Sequence, residues 1–143
     1  MEKIIEIVAL VIAGPMVGSE IAVAAFTNPI FGRLPDEAYR QARSDGSRLL
    51  GRVMPFWYIG TLVVLIAAAV VTSNGLIITA AALMAFVVLL TVTLMVPINN
   101  RISAWSETAD ASRDVARRWD RMHWLRVAIL VLMFVLLAVA VVR

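Results

Sequence analysis

Apolar and polar residues follow one another along this chain in long blocks. Uncharged runs occupy Phe56–Thr72, Leu76–Val96 and Val127–Val142, and a less pure apolar run opens the chain from about Ile4 to Thr27. A helix needs about 20 mostly apolar residues to cross the hydrocarbon core of a bilayer. Leu76–Val96 meets that length alone. Val127–Val142 reaches it once Trp124 and Leu125 are counted as an interfacial end, and Phe56–Thr72, with Trp57 and Tyr58 at its interfacial end, falls at the short limit of about 17 residues. The pattern predicts one all-α domain, an integral membrane four-helix bundle. Its spans lie at about 4–27, 56–73, 76–97 and 122–142, joined by basic loops at about 28–55 and 98–121.

Local signals place the boundaries. Asn28-Pro29 ends the first helix, Pro55 opens the second and Pro97 ends the third, since proline disfavours helical geometry at the residue before it. Ser73-Asn74-Gly75 reads as a tight turn, which makes the second and third helices an antiparallel hairpin. Pro35-Asp36-Glu37 is a helix start, with proline and acids in the first turn, and predicts a short surface helix to about Leu50. Glu107–Arg121 reads as a second amphipathic interfacial helix, a lid on the membrane surface. Asp110, Arg113, Asp114 and Arg117 would make its i,i+3 and i,i+4 pairs. Glu6, near the outer surface, is expected to be solvated.

Composition sharpens this picture. With 62% hydrophobic residues, 16% charged residues and a mean hydropathy of +0.89, the chain is too apolar for an ordinary soluble domain. The net charge of +3 does not indicate nucleic acid, because the arginines flank apolar spans. Five arginines fall in Arg33–Arg52 and six in Arg101–Arg126, with none in the turn between the second and third helices. The positive-inside rule makes both basic loops cytoplasmic and puts both termini outside, in a bacterial cytoplasmic membrane. Met1–Ala25 has some features of a signal peptide, with Ala22-Val23-Ala24 as a cleavage motif. Gly14, Pro15 and Glu20 interrupt its apolar centre, so it reads as a retained first helix. The chain has no cysteine, which excludes disulfides, thiolate ligands and a cysteine nucleophile.

The polar stretch Val96–Arg126 holds six of the 13 basic residues, the single histidine and three of the four tryptophans. The topology brings its ends to the depth of Glu20, Trp57 and Tyr58. Glu20 is the sharpest candidate, because a carboxylate within a span costs at least about 2.5 kcal/mol to insert. It reads either as a proton acceptor or as a structural partner of Arg101 or Arg126. His123 reads as a base, a metal ligand or an interfacial residue. Asn99 and Asn100 suit hydrogen bonds to a ligand oxygen, or one of them caps a helix. Arg126 suits an anionic ligand or a lipid phosphate. Gly14, Gly18 and Ala22 form a small-residue stripe on which a partner helix or a second copy could pack. No Gly-rich phosphate loop, Ser-His-Asp set or paired histidines occur, so no metal site is assigned and the cofactor stays unknown. Pro29-Ile30-Phe31-Gly32-Arg33-Leu34 and Pro97-Ile98-Asn99-Asn100-Arg101-Ile102 share the pattern P-I-x-x-R-aliphatic. Each precedes a later R-x-x-x-R pair, Arg48/Arg52 and Arg117/Arg121, as two parallel halves would.

Val96-Pro97-Ile98-Asn99-Asn100-Arg101, Trp105, and Trp119-Asp120-Arg121-Met122-His123-Trp124-Leu125-Arg126 resemble the anthrone oxygenase-like family of small integral membrane proteins. Gly14, Gly18, Asn28-Pro29 and Arg33-Leu34-Pro35 resemble that family's opening segment, so the likeness spans nearly the whole chain. Many members carry asparagine at the position of His123. The resemblance implies O2-dependent oxidation of a lipophilic aromatic or quinol-like substrate, without a cofactor, at the cytoplasmic mouth of the bundle. It implies a base, Glu20 or His123, and donors to a phenolate oxygen, Asn99, Asn100 and Arg126. An apolar pocket with Trp57 and Trp119 would hold flat rings. Two other readings remain open. One is a non-catalytic membrane protein binding a lipophilic small molecule or a partner helix through the Gly14/Gly18 face. The other is a haem or metal protein using His123 as a ligand.

Overall fold

The computed structural model describes residues 1–107 and 111–143, and every regular element among them is helical. The helices are α1 (Glu2–Ala22), α2 (Asn28–Gly32), α3 (Asp36–Thr72), α4 (Gly75–Leu90), α5 (Val96–Ser103) and α6 (Arg113–Val142). Two π-helical turns, Val23–Thr27 and Thr91–Met95, join α1 to α2 and α4 to α5. The result is four rods, each long and apolar enough to cross a membrane.

Order around the bundle follows order along the chain. Each of α1 and α4 packs against both α3 and α6, which closes a ring of four. The turn between α3 and α4 is as tight as Ser73-Asn74-Gly75 predicts. Ser73 closes α3 in the left-handed region at φ 49°, donating its backbone N–H to Ala69 O. Asn74 then caps α4, its Oδ1 accepting from Leu76 N at 2.9 Å. Small and flexible side chains meet inside: Ala9, Ala13 and Met16 of α1 against Leu65, Met84, Met133 and Leu137. Thioethers fill such irregular gaps well. The outward faces are as apolar as the core, with Val11, Phe56, Val70 and Leu89 all exposed. Such a surface is stable where lipid replaces water. A second core of Tyr39, Met95, Ile98, Ile102, Trp105 and Trp119 seals the polar end.

The prolines do not end the rods. Pro29 and Pro97 were expected as helix boundaries, yet each chain segment continues helical for several residues beyond them. The π-helical turn before each proline is the reason. Proline lacks an N–H and its ring crowds the carbonyl four residues back. A wider turn takes up one extra residue there, with Asn28 N bonding Val23 O and Val96 N bonding Thr91 O. Both turns begin six residues before their proline, so the P-I-x-x-R repeat extends to the backbone. Pro55 was expected to open a helix and instead lies inside α3, a rod of 37 residues.

The expected amphipathic loop helices are not separate elements either. Residues 36–52 form the first half of α3, and Arg113–Arg121 form the first turns of α6, capped by Ser112. Nothing in Leu50–Pro55 breaks the helix once the proline is tolerated, so the polar segments extend the spans beyond the apolar runs. Of the pairs expected in Glu107–Arg121, Asp114 with Arg117 forms, whereas Asp110 lies outside the described residues. Arg113 turns instead to Asp36 Oδ1 at 3.0 Å and stacks 4.0 Å over Tyr39. Arg48 ties α3 to the α5 end through Ser103 O and Ser106 Oγ. Glu6 is buried at 6% exposure and pairs with Lys3 at 3.1 Å, because its side chain turns inward rather than to the surface.

Candidate functional site

Helical spacing sets the site. Trp119, His123 and Arg126 are four and three residues apart on α6, so they share one face. That face turns inward beside Glu20, in the last turn of α1 before the first π-helical turn. All four side chains are buried, with Glu20 at 3%, His123 at 1% and Arg126 at 7% exposure.

Arg126 organises the polar atoms. Its Nη2 donates to Glu20 Oε2 at 2.8 Å and to His123 Nδ1 at 2.9 Å, while Nη1 donates to Thr91 Oγ1 at 3.3 Å. His123 Nε2 lies 3.0 Å from the backbone carbonyl oxygen of Glu20. A carbonyl only accepts, so the tautomer that fits both bonds carries its proton on Nε2 and offers a lone pair at Nδ1. That lone pair sits 3.2 Å from Glu20 Oε2. Two acceptors face each other there, held by hydrogens of one guanidinium nitrogen. A single added proton would bridge them. The cluster of one carboxylate, one guanidinium and a neutral imidazole carries no net charge, which makes its burial tolerable.

Aromatic rings pack around this cluster. Trp119 stacks on His123 with centroids 4.8 Å apart, and Arg126 lies 5.4 Å from the Tyr58 ring centre. Buried Arg43 braces the outer side of Trp119 at 5.6 Å, donating to Asn28 Oδ1 at 2.8 Å and Asp120 Oδ1 at 2.9 Å. Three buried polar atoms here have no hydrogen-bond partner among the described residues: Tyr58 Oη, Trp119 Nε1 and Arg126 Nε. Each belongs to a residue lining a cavity of about 180 Å³. The remaining walls are largely apolar, with Val23, Met54, Val88 and Met95 among them. An apolar chamber with a few convergent polar atoms is the usual form of a small-molecule site.

Six of the seven residues expected at the site line this cavity: Glu20, His123, Asn99, Asn100, Arg126 and Trp119. Asn99 also donates to Ser47 O at 3.2 Å, bridging α5 to α3. Trp57 lies elsewhere, its Nε1 donating to Ile12 O at 3.1 Å between α3 and α1. Its neighbour Tyr58 takes the wall position. Neighbouring residues on a helix point about 100° apart, and two adjacent aromatics gave no hint of which one turns inward. Thr91 and the Arg43–Asp120 brace are further members that no motif marked. Of the two arginines offered as partners for Glu20, Arg126 takes the role and Arg101 is exposed.

The donor set fits a metal poorly. Both ring nitrogens of His123 already have partners, and the Arg126 cation stands beside Nδ1, where a metal would need to bind. Among the described residues no group of three potential ligands comes together. On the small-residue stripe, a Cβ added at Gly14 would meet Phe134 of the same chain at 3.5 Å, whereas one at Gly18 would meet open space.

The family model described as Anthrone oxygenase matches residues 47–136, more than half of the chain. The matched segment contains every lining residue of the cavity except Glu20 and Val23. No curated protein and no solved structure matches the chain.

Proposed function

Because the chain belongs to the anthrone oxygenase family, we propose that it catalyses O2-dependent oxidation of a lipophilic aromatic with an acidic benzylic C–H, at the polar end of the bundle. The observation that carries this reading is the neutral Glu20–His123–Arg126 cluster at the head of an apolar cavity. Removing a benzylic proton from an anthrone-like ring yields an aromatic anion. The proton goes to the Glu20 Oε2–His123 Nδ1 pair, where one acceptor site stands ready. The anion is held by the Arg126 guanidinium and by the unmatched Tyr58 and Trp119 donors. Charge inside the chamber stays balanced, because the proton and the anion arise together.

The anion then passes one electron to O2, and the resulting pair combines to a carbon-bound peroxide. The stored proton returns to the peroxide oxygen. Loss of water then leaves a new carbonyl. One substrate and one O2 give one quinone and one water, so the step needs no further reductant. The buried apolar chamber supports this order of events by keeping bulk water from the anion. The polar end, with its arginine-rich segments, faces the cytoplasm in this reading.

The test is O2 uptake and quinone absorbance with purified protein in lipid vesicles, using an anthrone as substrate. Glu20→Gln and His123→Ala should each lower turnover by about 10²-fold or more, the usual worth of a positioned base. Undiminished O2-dependent turnover in both variants would remove the proposed base.

A further inference from the structure

The cavity is closed behind by α1 and α6, which carry Glu20, His123 and Arg126. Its exposed lining residues lie on the other two rods. Gly51, Pro55 and Ile59 recur at every fourth position of α3, and Val92, Val96 and Asn100 at every fourth position of the α4–α5 rod. The short turn at Ser73–Asn74 makes these rods antiparallel. Ile59 and Val92 therefore fall toward the long apolar runs, and Gly51 and Asn100 toward the polar end. Eight residues of helix rise about 12 Å, so the two stripes edge a slot of that length. Its polar end is pinched. Asn99 reaches across to Ser47 O, and a Cβ on Gly51 would come within 3.1 Å of Asn99 Nδ2. The rest of the slot is bordered by apolar, exposed side chains.

We infer that this slot is a lateral portal, through which a planar lipophile with one ionisable oxygen passes directly between the bilayer and the cavity. The inference rests on reading the cavity as a substrate site. Apolar edges let flat rings slide past without shedding water from polar groups. The unmatched Tyr58 and Trp119 donors then capture the oxygen at the inner end. Such a ligand partitions into lipid, and a portal at the junction of apolar and polar segments meets it where its rings are buried and its oxygen is near the interface.

The full chain in phosphatidylcholine vesicles, mixed with 1-hydroxyanthraquinone as the probe, tests this. Quinones quench indole emission, and Trp119 lies in the cavity wall. The double variant Ile59→Phe/Val92→Phe should slow the quenching phase at least tenfold. Val70→Phe, at a position 74% exposed on the same helix outside the slot, should not. Equal rates in the double variant and the parent overturn the portal. So does slowing seen only with Asn100→Phe at the polar end, or equally with Val70→Phe. Absence of quenching in the parent overturns the ligand class. Quenching without O2 uptake leaves the portal standing and removes the oxidation reading. Undiminished turnover in Ile59→Phe/Val92→Phe does the reverse.

Discussion

Arg126 Nη2 lies 2.8 Å from Glu20 Oε2, joining side chains 106 positions apart in a buried ion pair. Removing one member of such a pair leaves the other charged and buried, which costs about 3–5 kcal/mol. Replacing both removes the charge altogether. Glu20→Gln and Arg126→Met should each lower the thermal unfolding temperature strongly in detergent, and the double variant should recover much of the loss. A double variant as unstable as the sum of the two singles would show that the pair is not coupled.

Tyr58 separates stability from function in a different way. Its hydroxyl is buried and makes no well-formed hydrogen bond among the described residues, although it feels the Glu20 carboxylate nearby. A buried hydroxyl without a well-formed hydrogen bond carries a desolvation cost, which its interaction with the Glu20 carboxylate offsets only in part. Tyr58→Phe should therefore leave the unfolding temperature unchanged or slightly raised. If that hydroxyl binds the substrate oxygen, the same variant should lower turnover by about tenfold or more, the worth of one good hydrogen bond to a developing anion. Unchanged kinetics in Tyr58→Phe would take the hydroxyl out of the site.

Much of this arrangement is legible along the chain, for reasons that also explain what is not. Four spans follow from block composition, and Ser73-Asn74 declares its own turn, because both signals are local. Glu20 finds Arg126 because few charges lie near the spans, so few partners exist. The continuity of the rods through Pro29, Pro55 and Pro97 is not local. Proline disfavours a helix by its own geometry, and only packing against neighbouring rods, with a π-helical turn to absorb the strain, keeps the chain helical. Whether Trp57 or Tyr58 faces the cavity depends on the rotation of α3, which adjacent aromatics do not specify. Glu6 was misplaced for the same reason, since depth along a rod says nothing about which way a residue points.

Arg43 and Asp120 make a second ion pair at 2.9 Å, but the two are not equally hidden. The Arg43 side chain is 4% exposed and that of Asp120 is 33% exposed. Without Arg43, the carboxylate can still meet water. Without Asp120, the guanidinium keeps, among the described residues, Asn28 Oδ1 and the Trp119 ring. Asp120→Ala should thus destabilise by several kcal/mol, toward the range for a stranded buried charge. Arg43→Met should cost less, because its long apolar stem is replaced by a side chain of similar length. Unfolding temperatures of the two variants compare them directly, and a larger loss for Arg43→Met would contradict this account.

The π-helical turn at Thr91–Met95 permits a sharper test, because such a turn holds one residue more than an α-helix needs. Deleting Thr93, which is exposed and whose hydroxyl donates to Leu89 O of its own helix, should convert the turn to ordinary helix. The faces before and after it would keep their directions, so Met84 and Ile98 would still point into their two cores. Deleting Leu83 from regular α4 has no such outlet. Every residue beyond it would rotate by about 100°, and Thr91 would leave Arg126. The Thr93 deletion should therefore insert and unfold near the parent temperature, with turnover lowered by the proline crowding returned to the cavity wall. The Leu83 deletion should fail to yield a folded protein. Equal tolerance of both deletions would mean that the turn holds no spare residue.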